Sequence, residues 1–231
     1  TDRDSYYGPG NDPLKAYGKT TDLTAMGGAQ YVHTFDKCFF MPSDLTAGLE
    51  YNRDRLKDNM WGYNRHTDQT VNIYSAFLQN EWKNDRWGIL IGGRLDKHNM
   101  VDNVIFSPRA NLRFNPTQNI NLRLSYSSGF RAPQAFDEDM HIENVGGTVA
   151  MIERAKDLKE EKSQSFSVSA DMYHRFGAFQ TNLLIEGFYT RLTDVFVLGK
   201  PYDRGDGILV KTRSNGPGAK VMGLTLEGKV A

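Results

Sequence analysis

Residues 119–141 read NINLRLSYSSGFRAPQAFDEDMH, and this stretch decides the fold. Ile120, Leu122, Leu124 and Tyr126 alternate with Asn121, Arg123, Ser125 and Ser127. Side chains of a strand repeat every second residue, so the pattern is a strand with one apolar and one polar face. It stops at Gly129-Phe130-Arg131-Ala132-Pro133, because Pro133 brings no N–H to a ladder and biases Ala132 toward extended backbone. The acidic run Asp137, Glu138 and Asp139 then opens a long segment without strand character. A two-faced strand that delivers the chain into a large polar loop is the plan to look for elsewhere.

That plan recurs. Strands are predicted at about 23–36, 44–56, 71–83, 87–98, 104–115, 119–130, 162–175, 178–198 and 208–230. Leu45, Ala47, Leu49 and Tyr51 oppose Thr46, Gly48, Glu50 and Asn52; Phe166, Val168, Ala170 and Met172 oppose Ser165, Ser167, Ser169 and Asp171. Apolar groups fall on both faces in 71–83 and 178–198. Residues 1–22, with Gly8, Pro9, Gly10, Pro13 and Gly18, read as a loop, and 149–159 (VAMIERAKDLK) as one short helix inside a loop. The connections alternate between short (37–43, 84–86, 116–118, 176–177) and mostly long (57–70, 100–103, 131–161, 199–207). Trp82, Trp87, Phe114, Phe176 and Phe179 gather at the short ones.

Composition narrows the possibilities. The chain has 231 residues, enough for one large β domain or two small ones. Lys+Arg and Asp+Glu are 28 each, so there is no bulk charge to hold nucleic acid, and none is expected as a partner. A single cysteine, Cys38, excludes an internal disulfide framework. No apolar run reaches the roughly 18 residues of a membrane helix, and TDRDSYYGPG carries no secretory signal. A mean hydropathy of -0.56 is compatible with a membrane barrel, which needs apolar residues only at alternate positions.

Two all-β architectures fit the alternation. One is an antiparallel transmembrane β-barrel with tight turns at one end and long external loops at the other. The alternative is a soluble β domain that binds carbohydrate or protein and uses the apolar face as its core. Three features favour the barrel. The strands often run to 12 or more residues, against a usual ~5–6. The polar face carries Glu50, Arg109, Arg113, Arg123 and Glu186, as a wet lumen would. The loops alternate in length.

The residues also resemble a family. Ser107-Pro108-Arg109-Ala110, running through Asn121–Ser128 to Gly129-Phe130-Arg131-Ala132-Pro133, is similar to the barrel of TonB-dependent outer-membrane receptors, especially those of Bacteroidetes. Gly92-Gly93-Arg94-Leu95-Asp96 resembles the preceding strand, and Leu158-Lys159-Glu160-Glu161-Lys162-Ser163 the Leu-x-x-Glu-x-Ser entry to the next. Asn215-Gly216 with Gly223-Leu224-Thr225-Leu226-Glu227 resembles the Asn-Gly…Gly-x-Glu-x-Glu strand, departing from it at Thr225. The resemblance covers roughly 70–230. It implies that residues 1–231 are the middle part of a barrel of about 22 strands, nine of them here, with no plug domain and no TonB box present. It further implies active import, across the outer membrane of a Gram-negative bacterium, of a scarce, bulky nutrient such as a ferric siderophore, haem or cobalamin. The implied partners are the TonB–ExbB–ExbD complex acting through the plug, the nutrient, and outer-membrane lipid.

No catalytic constellation accompanies these features, and no enzyme is expected. His33, His66, His98, His141 and His174 are scattered, and neither Gly-x-Ser-x-Gly nor a phosphate loop occurs. Trp61, Tyr63, Arg131 and Tyr202 sit in predicted external loops, where aromatic and arginine anchors serve binding. Arg109, Arg113 and Arg123 are placed by the resemblance against the plug. Asp137, Glu138 and Asp139, with His141 beside them, offer clustered hard oxygens of the kind that suits a structural calcium, and a carboxylate with histidine also suits a transition metal; a solvated acidic loop pairing with Arg131 is the competing reading.

Overall fold

A computed structural model describes residues 1–6, 17–135, 143–145, 148–205 and 207–231. Its strands, numbered along the chain, are β1 Asp2–Tyr6, β2 Tyr17–Cys38, β3 Met41–Met60, β4 Arg65–Lys83, β5 Trp87–His98, β6 Ile105–Thr117, β7 Ile120–Arg131, β8 Glu143–Val145, β9 Thr148–Arg154, β10 Glu161–Phe176, β11 Phe179–Thr193, β12 Phe196–Leu198, β13 Tyr202–Asp203, β14 Leu209–Asn215 and β15 Ala219–Val230. Ten of them form one antiparallel sheet in the order β1-β2-β3-β4-β5-β6-β7-β10-β11-β15. The rest make a five-stranded sheet, β12-β14-β9-β8 with β13 on β14.

Register aligns the apolar residues of neighbouring strands along one face of the large sheet. Leu124 on β7 lies opposite Leu112 on β6 and Val168 on β10, and Val168 lies opposite Gly187, itself opposite Leu224. Tyr51 pairs with Tyr74, and Leu49 with Ala76. Because the side-chain period is two, one slipped pairing would turn a whole strand's apolar set over. None has slipped among these pairs. The face is also uncovered: Leu49, Leu78, Ile91, Leu124, Val168 and Leu224 are all exposed, Leu224 at 77%. The soluble alternative needed these residues packed inward against a second sheet, and the structure overturns it. A continuous bare face of Leu, Val and Ile marks a surface made to be covered, by lipid or by another protein.

Aromatic rows bound this face. Near the tight turns Phe40 stacks on Trp82 (5.6 Å) and Trp87 on Phe114 (4.2 Å), while the Trp82 indole donates to the Cys38 carbonyl (2.9 Å). Toward the long loops stand Tyr51 against Tyr74 (4.9 Å) and Tyr126 against Phe166 (4.8 Å). Tyr74 to Trp82 and Phe106 to Phe114 each span eight residues, or ~27 Å of strand, a rise of ~19–22 Å at a barrel tilt of ~35–45°, somewhat less than the ~25 Å apolar band of such walls.

Most predicted strands extend beyond their expected bounds, and some calls change. Part of the 1–22 loop is strand: β1 pairs with the start of β2, so the main sheet has ten strands where nine were expected. The 57–70 loop shrinks to one 3-10 turn, Trp61–Tyr63, because β3 and β4 continue pairing up to Met60 and Arg65. Residues 178–198 break at Asp194, which has φ 54°, and 208–230 divides into β14 and β15 around Gly216 and Gly218. The short helix at 149–159 is not formed. Thr148, Val149 and Ile152 are β-branched, and the segment is β9, paired parallel to β14.

That parallel pairing brings two long loops together as one small sheet above the wall. Every buried apolar residue described lies at this end: Met60, Tyr63 and Met151 cluster with Ile208, and Val101, Ile105 and Ala132 with Phe130. At the loop end of the wall the buried positions are those of the polar-face parity, Leu56, Asp58 and Met60 on β3, Gln69 and Val71 on β4, Asp96 and His98 on β5. The loop sheet therefore folds inward, across the polar face.

Candidate functional site

The inward-folded loops are held by buried polar groups. Gln69, 4% exposed, is the hub: its Oε1 accepts from the Ala135 N–H (2.7 Å) and from Arg154 Nη1 (2.8 Å). Arg154 Nη1 also donates to the Pro133 carbonyl (3.1 Å). One side chain of the wall thus fixes both the segment after β7 and the loop strand β9. Asp58, also buried, accepts from the Thr20 hydroxyl (2.6 Å) and from Arg65 Nη2 (2.7 Å), tying β2 to β3 and β4. A buried carboxylate is tolerated where such charge-assisted bonds satisfy it.

His98 is the second anchor. It lies past the last aromatic row at the loop end of β5 and is fully buried. Its Nδ1 accepts from the Met100 N–H (3.0 Å), which makes Nε2 the protonated nitrogen that faces Gln134 Oε1 (3.3 Å). Burial lowers the imidazole pKa below its usual value, against the opposing pull of Gln134 and Asp96. The ring is therefore a neutral pin between the wall and residue 134.

Between wall and loop sheet lies a cavity of about 570 Å³, lined among others by Asn64, Arg65, Glu153, Arg154, Lys156 and Arg204. The residues expected from sequence as ligand anchors do not line the cavity. Trp61 is half exposed and stacks flat on Tyr17 (5.2 Å, 8°). Tyr63 is 8% exposed in the loop core, where burial raises its phenol pKa and its carbonyl accepts from Arg204 Nη2 (3.2 Å). The Arg131 guanidinium lies over the Phe196 ring (5.5 Å). Tyr202 stands exposed on β13.

The three expected lumen arginines all lie on the polar face. Arg109 borders a recess of about 560 Å³ with Gln30, Glu50, Gln79 and Arg94. Arg94 crosslinks three strands there, reaching Glu50 (2.6 Å), Asp96 (2.8 Å) and the Ser75 hydroxyl (2.8 Å). Arg113 and Arg123 are directly opposite each other and share a smaller recess with Glu81. Arg113 bonds the Asn84 carbonyl (3.0 Å), closing the turn between β4 and β5. Arg109 and Arg123 have no hydrogen bond or ion pair among the described residues. Asp137, Glu138, Asp139 and His141 lie outside the described residues; among those described, no three His, Cys, Asp or Glu side chains converge as a metal site.

Gln69, His98 and Arg154 were not singled out from sequence. Gln69 and His98 do share polar-face parity with the lumen residues, but nothing local says that a loop will come down on them.

The whole chain, residues 1–231, matches the family described as TonB dependent receptor-like, beta-barrel. A curated relative, the probable hemoglobin and hemoglobin-haptoglobin-binding protein 3 of Haemophilus influenzae, is 24% identical over 189 residues, which is 80% of this chain and 16% of that protein. Among solved structures, the siderophore receptor PirA from Pseudomonas aeruginosa aligns with TM-score 0.71 at 17% identity, covering 92% of this chain and 39% of the receptor. The Serratia marcescens hemophore receptor HasR aligns with TM-score 0.73 at 14% identity, covering 93% and 40%. The ferric enterobactin receptor PfeA from Pseudomonas aeruginosa aligns with TM-score 0.70 at 20% identity, covering 97% and 37%. At these identities the structures establish the fold, and the chain spans less than half the length of each protein it matches.

Proposed function

We propose that this chain, which belongs to the TonB-dependent receptor β-barrel family, is the wall and loop gate of an outer-membrane importer for an iron carrier, a ferric siderophore or haem. The observation that carries this reading is the inward-folded loop sheet, pinned to the wall by Gln69 and His98 around a polar cavity. A gate of that kind selects a bulky ligand at the mouth while the wall stays fixed. Trp61 and Tyr202 are the exposed aromatic anchors in position to meet the ligand, and Arg131 stands at the loop end of β7. Arg109 and Arg123, without hydrogen-bond or ion-pair partners among the described residues, face a polar plug, and so does Gln79, whose buried Oε1 likewise has no partner there. Force from TonB–ExbB–ExbD acts through that plug, no bond being broken, and the bare apolar face meets lipid.

The test is equilibrium binding to the full-length protein in detergent, titrated separately with ferric enterobactin and with haem, read by tryptophan fluorescence. One of the two binds at micromolar Kd or tighter, and Trp61→Ala or Tyr202→Ala raises that Kd at least tenfold. Binding of neither ligand, or Kd values unmoved by both substitutions, would overturn the reading.

A further inference from the structure

Three of the stretches that carry the family resemblance lie far apart in sequence and meet at one place. Gly129 of the Gly-Phe-Arg-Ala-Pro stretch is directly opposite Ser163, and Arg131 opposite Glu161, both in the Leu-x-x-Glu-x-Ser stretch. Asn215 of the Asn-Gly stretch is opposite Phe196 on β12. All three converge on the turn between β11 and β12. The Arg131 guanidinium lies over the Phe196 ring (5.5 Å), Glu161 Oε2 accepts from the Phe196 N–H (2.8 Å), and Asn215 Nδ2 donates to the Asp194 carbonyl (2.7 Å). The Asn215 amide also clasps Lys159, 56 positions away: Oδ1 accepts its N–H (2.8 Å) and Nδ2 donates to its carbonyl (3.0 Å). Backbone closes around this amide, with the Gly216 N–H on the Val195 carbonyl (2.7 Å) and the Ala155 N–H on the Arg213 carbonyl (2.8 Å). A Cβ on Gly218 would lie 2.5 Å from the Leu192 carbonyl oxygen, so the chain leaves β14 pressed directly on the end of β11.

We propose that this is the joint on which the loop sheet is carried, with Asn215 as its positioning residue, and that the contacts of Gln69 and His98 are a separate catch. An asparagine amide offers two donors and an acceptor, and here one backbone N–H and two carbonyls use them. Aspartate has the same shape but cannot donate when ionised, and an apolar side chain would leave all three backbone groups without this partner. The joint is built on β7, β10 and β11, which are neighbours in the wall, whereas the catch is built on β4 and β5, with β6 between the two. The catch consists of single side-chain hydrogen bonds to residues 134, 135 and 154, and the joint of amide and backbone bonds spread over three segments. A bulky ligand that enters the cavity therefore parts the catch first, and the loop sheet swings about residues 194–196 and 215 without unfolding.

The joint rests on the gate reading above, and its test tells the two apart. Amide hydrogen exchange on the full-length protein in detergent, each rate taken relative to its intrinsic rate, follows Gly216 and Phe196 for the joint and Ala135 for the catch. Gln69→Ala loses protection at Ala135 and leaves Gly216 and Phe196 within threefold of wild type. Asn215→Asp keeps the acceptor for Lys159 and loses both donations, so protection of Gly216 falls roughly thirtyfold at neutral pH, as two ordinary hydrogen bonds require. Below a pH of about 4 the introduced carboxyl takes up a proton and donates once again, and protection recovers about fivefold. Asn215→Ala falls as far and shows no recovery. Ferric enterobactin and haem are titrated into the wild type alongside. Joint amides that open together with Ala135 in Gln69→Ala, or an Asn215→Asp variant with wild-type protection or without the acid recovery, would overturn the joint whatever binds. Binding of neither ligand, with protection changing as described, would overturn the importer reading and keep the joint. Should Asn215→Asp fail to fold, Glu161→Ala removes the acceptor of the Phe196 N–H and lowers protection there at least tenfold; unchanged protection in that variant would overturn the joint.

Discussion

Gln69→Ala tests the gate most directly. The substitution removes one acceptor atom that serves two donors, the Ala135 N–H at 2.7 Å and Arg154 Nη1 at 2.8 Å. A neutral hydrogen bond contributes about 1 kcal/mol net, and one to a charged group about 1.5–3 kcal/mol. Their loss amounts to roughly 2–4 kcal/mol, or a local opening about 30- to 1,000-fold more frequent. The wall does not unfold, because its backbone ladder is untouched and His98 still holds residue 134. Amide hydrogen exchange on the full-length protein reads the effect at Ala135, with β4 as internal reference. Gln69→Glu keeps an acceptor for both donors, strengthens the bond to Arg154, and restores protection. Arg154→Ala shares the same interaction, so the two alanine variants together cost less than the sum of each alone. Exchange at Ala135 within threefold of wild type in Gln69→Ala, or strict additivity with Arg154→Ala, would refute the hub.

Three further outcomes follow from the same geometry. Leu124→Arg puts a charge on the bare apolar face and costs about 2–4 kcal/mol if that position is near the middle of a bilayer, measured as a lowered urea midpoint in lipid; Ser125→Arg, facing the other way, costs far less. A Cβ on Gly48 would lie 2.3 Å from Phe77 Cζ, so Gly48→Ala overpacks the polar face by about 1–3 kcal/mol; Gly27→Ala, with nothing within 4 Å of the new carbon, leaves the midpoint unchanged or raised. Because burial depresses the His98 pKa, its contribution is fully present above the unfolded value of about 6.5 and is lost as pH falls through the lower folded value. Acid therefore lowers the protection of the Met100 amide, measured as its exchange rate relative to the intrinsic rate at each pH, and His98→Phe abolishes that pH dependence; an unchanged acid response in the variant would sink the assignment.

Much of the wall was legible in sequence because strand periodicity is a local property. The alternation of Ile120, Leu122, Leu124 and Tyr126 names a two-faced strand whatever surrounds it, and the register then aligned Leu112, Leu124 and Val168 on one face. Residues 87–98 were read with the very bounds of β5. The GFRAP stretch identified the family before any coordinate. Trp61 falls in the connection between β3 and β4, as its surroundings in sequence suggest, whereas Tyr202 lies on the short strand β13 of the loop sheet.

What the sequence could not decide is where those loops go. Residues 149–159 looked locally like a short helix, and only the distant partner β14, some sixty positions on, made them strand. Tyr63 looked like a surface anchor and became core, because Met151 and Ile208 arrive from two other loops to cover it. Gln69 and His98 read as ordinary residues of a lumen face until the tertiary fold lowered residues 133–135 onto them. The physical reason is the same in each case. Alternation fixes which way a side chain points, but burial of a polar group depends on what folds over it, and that cover comes from sequence-remote segments whose pairing no local period records.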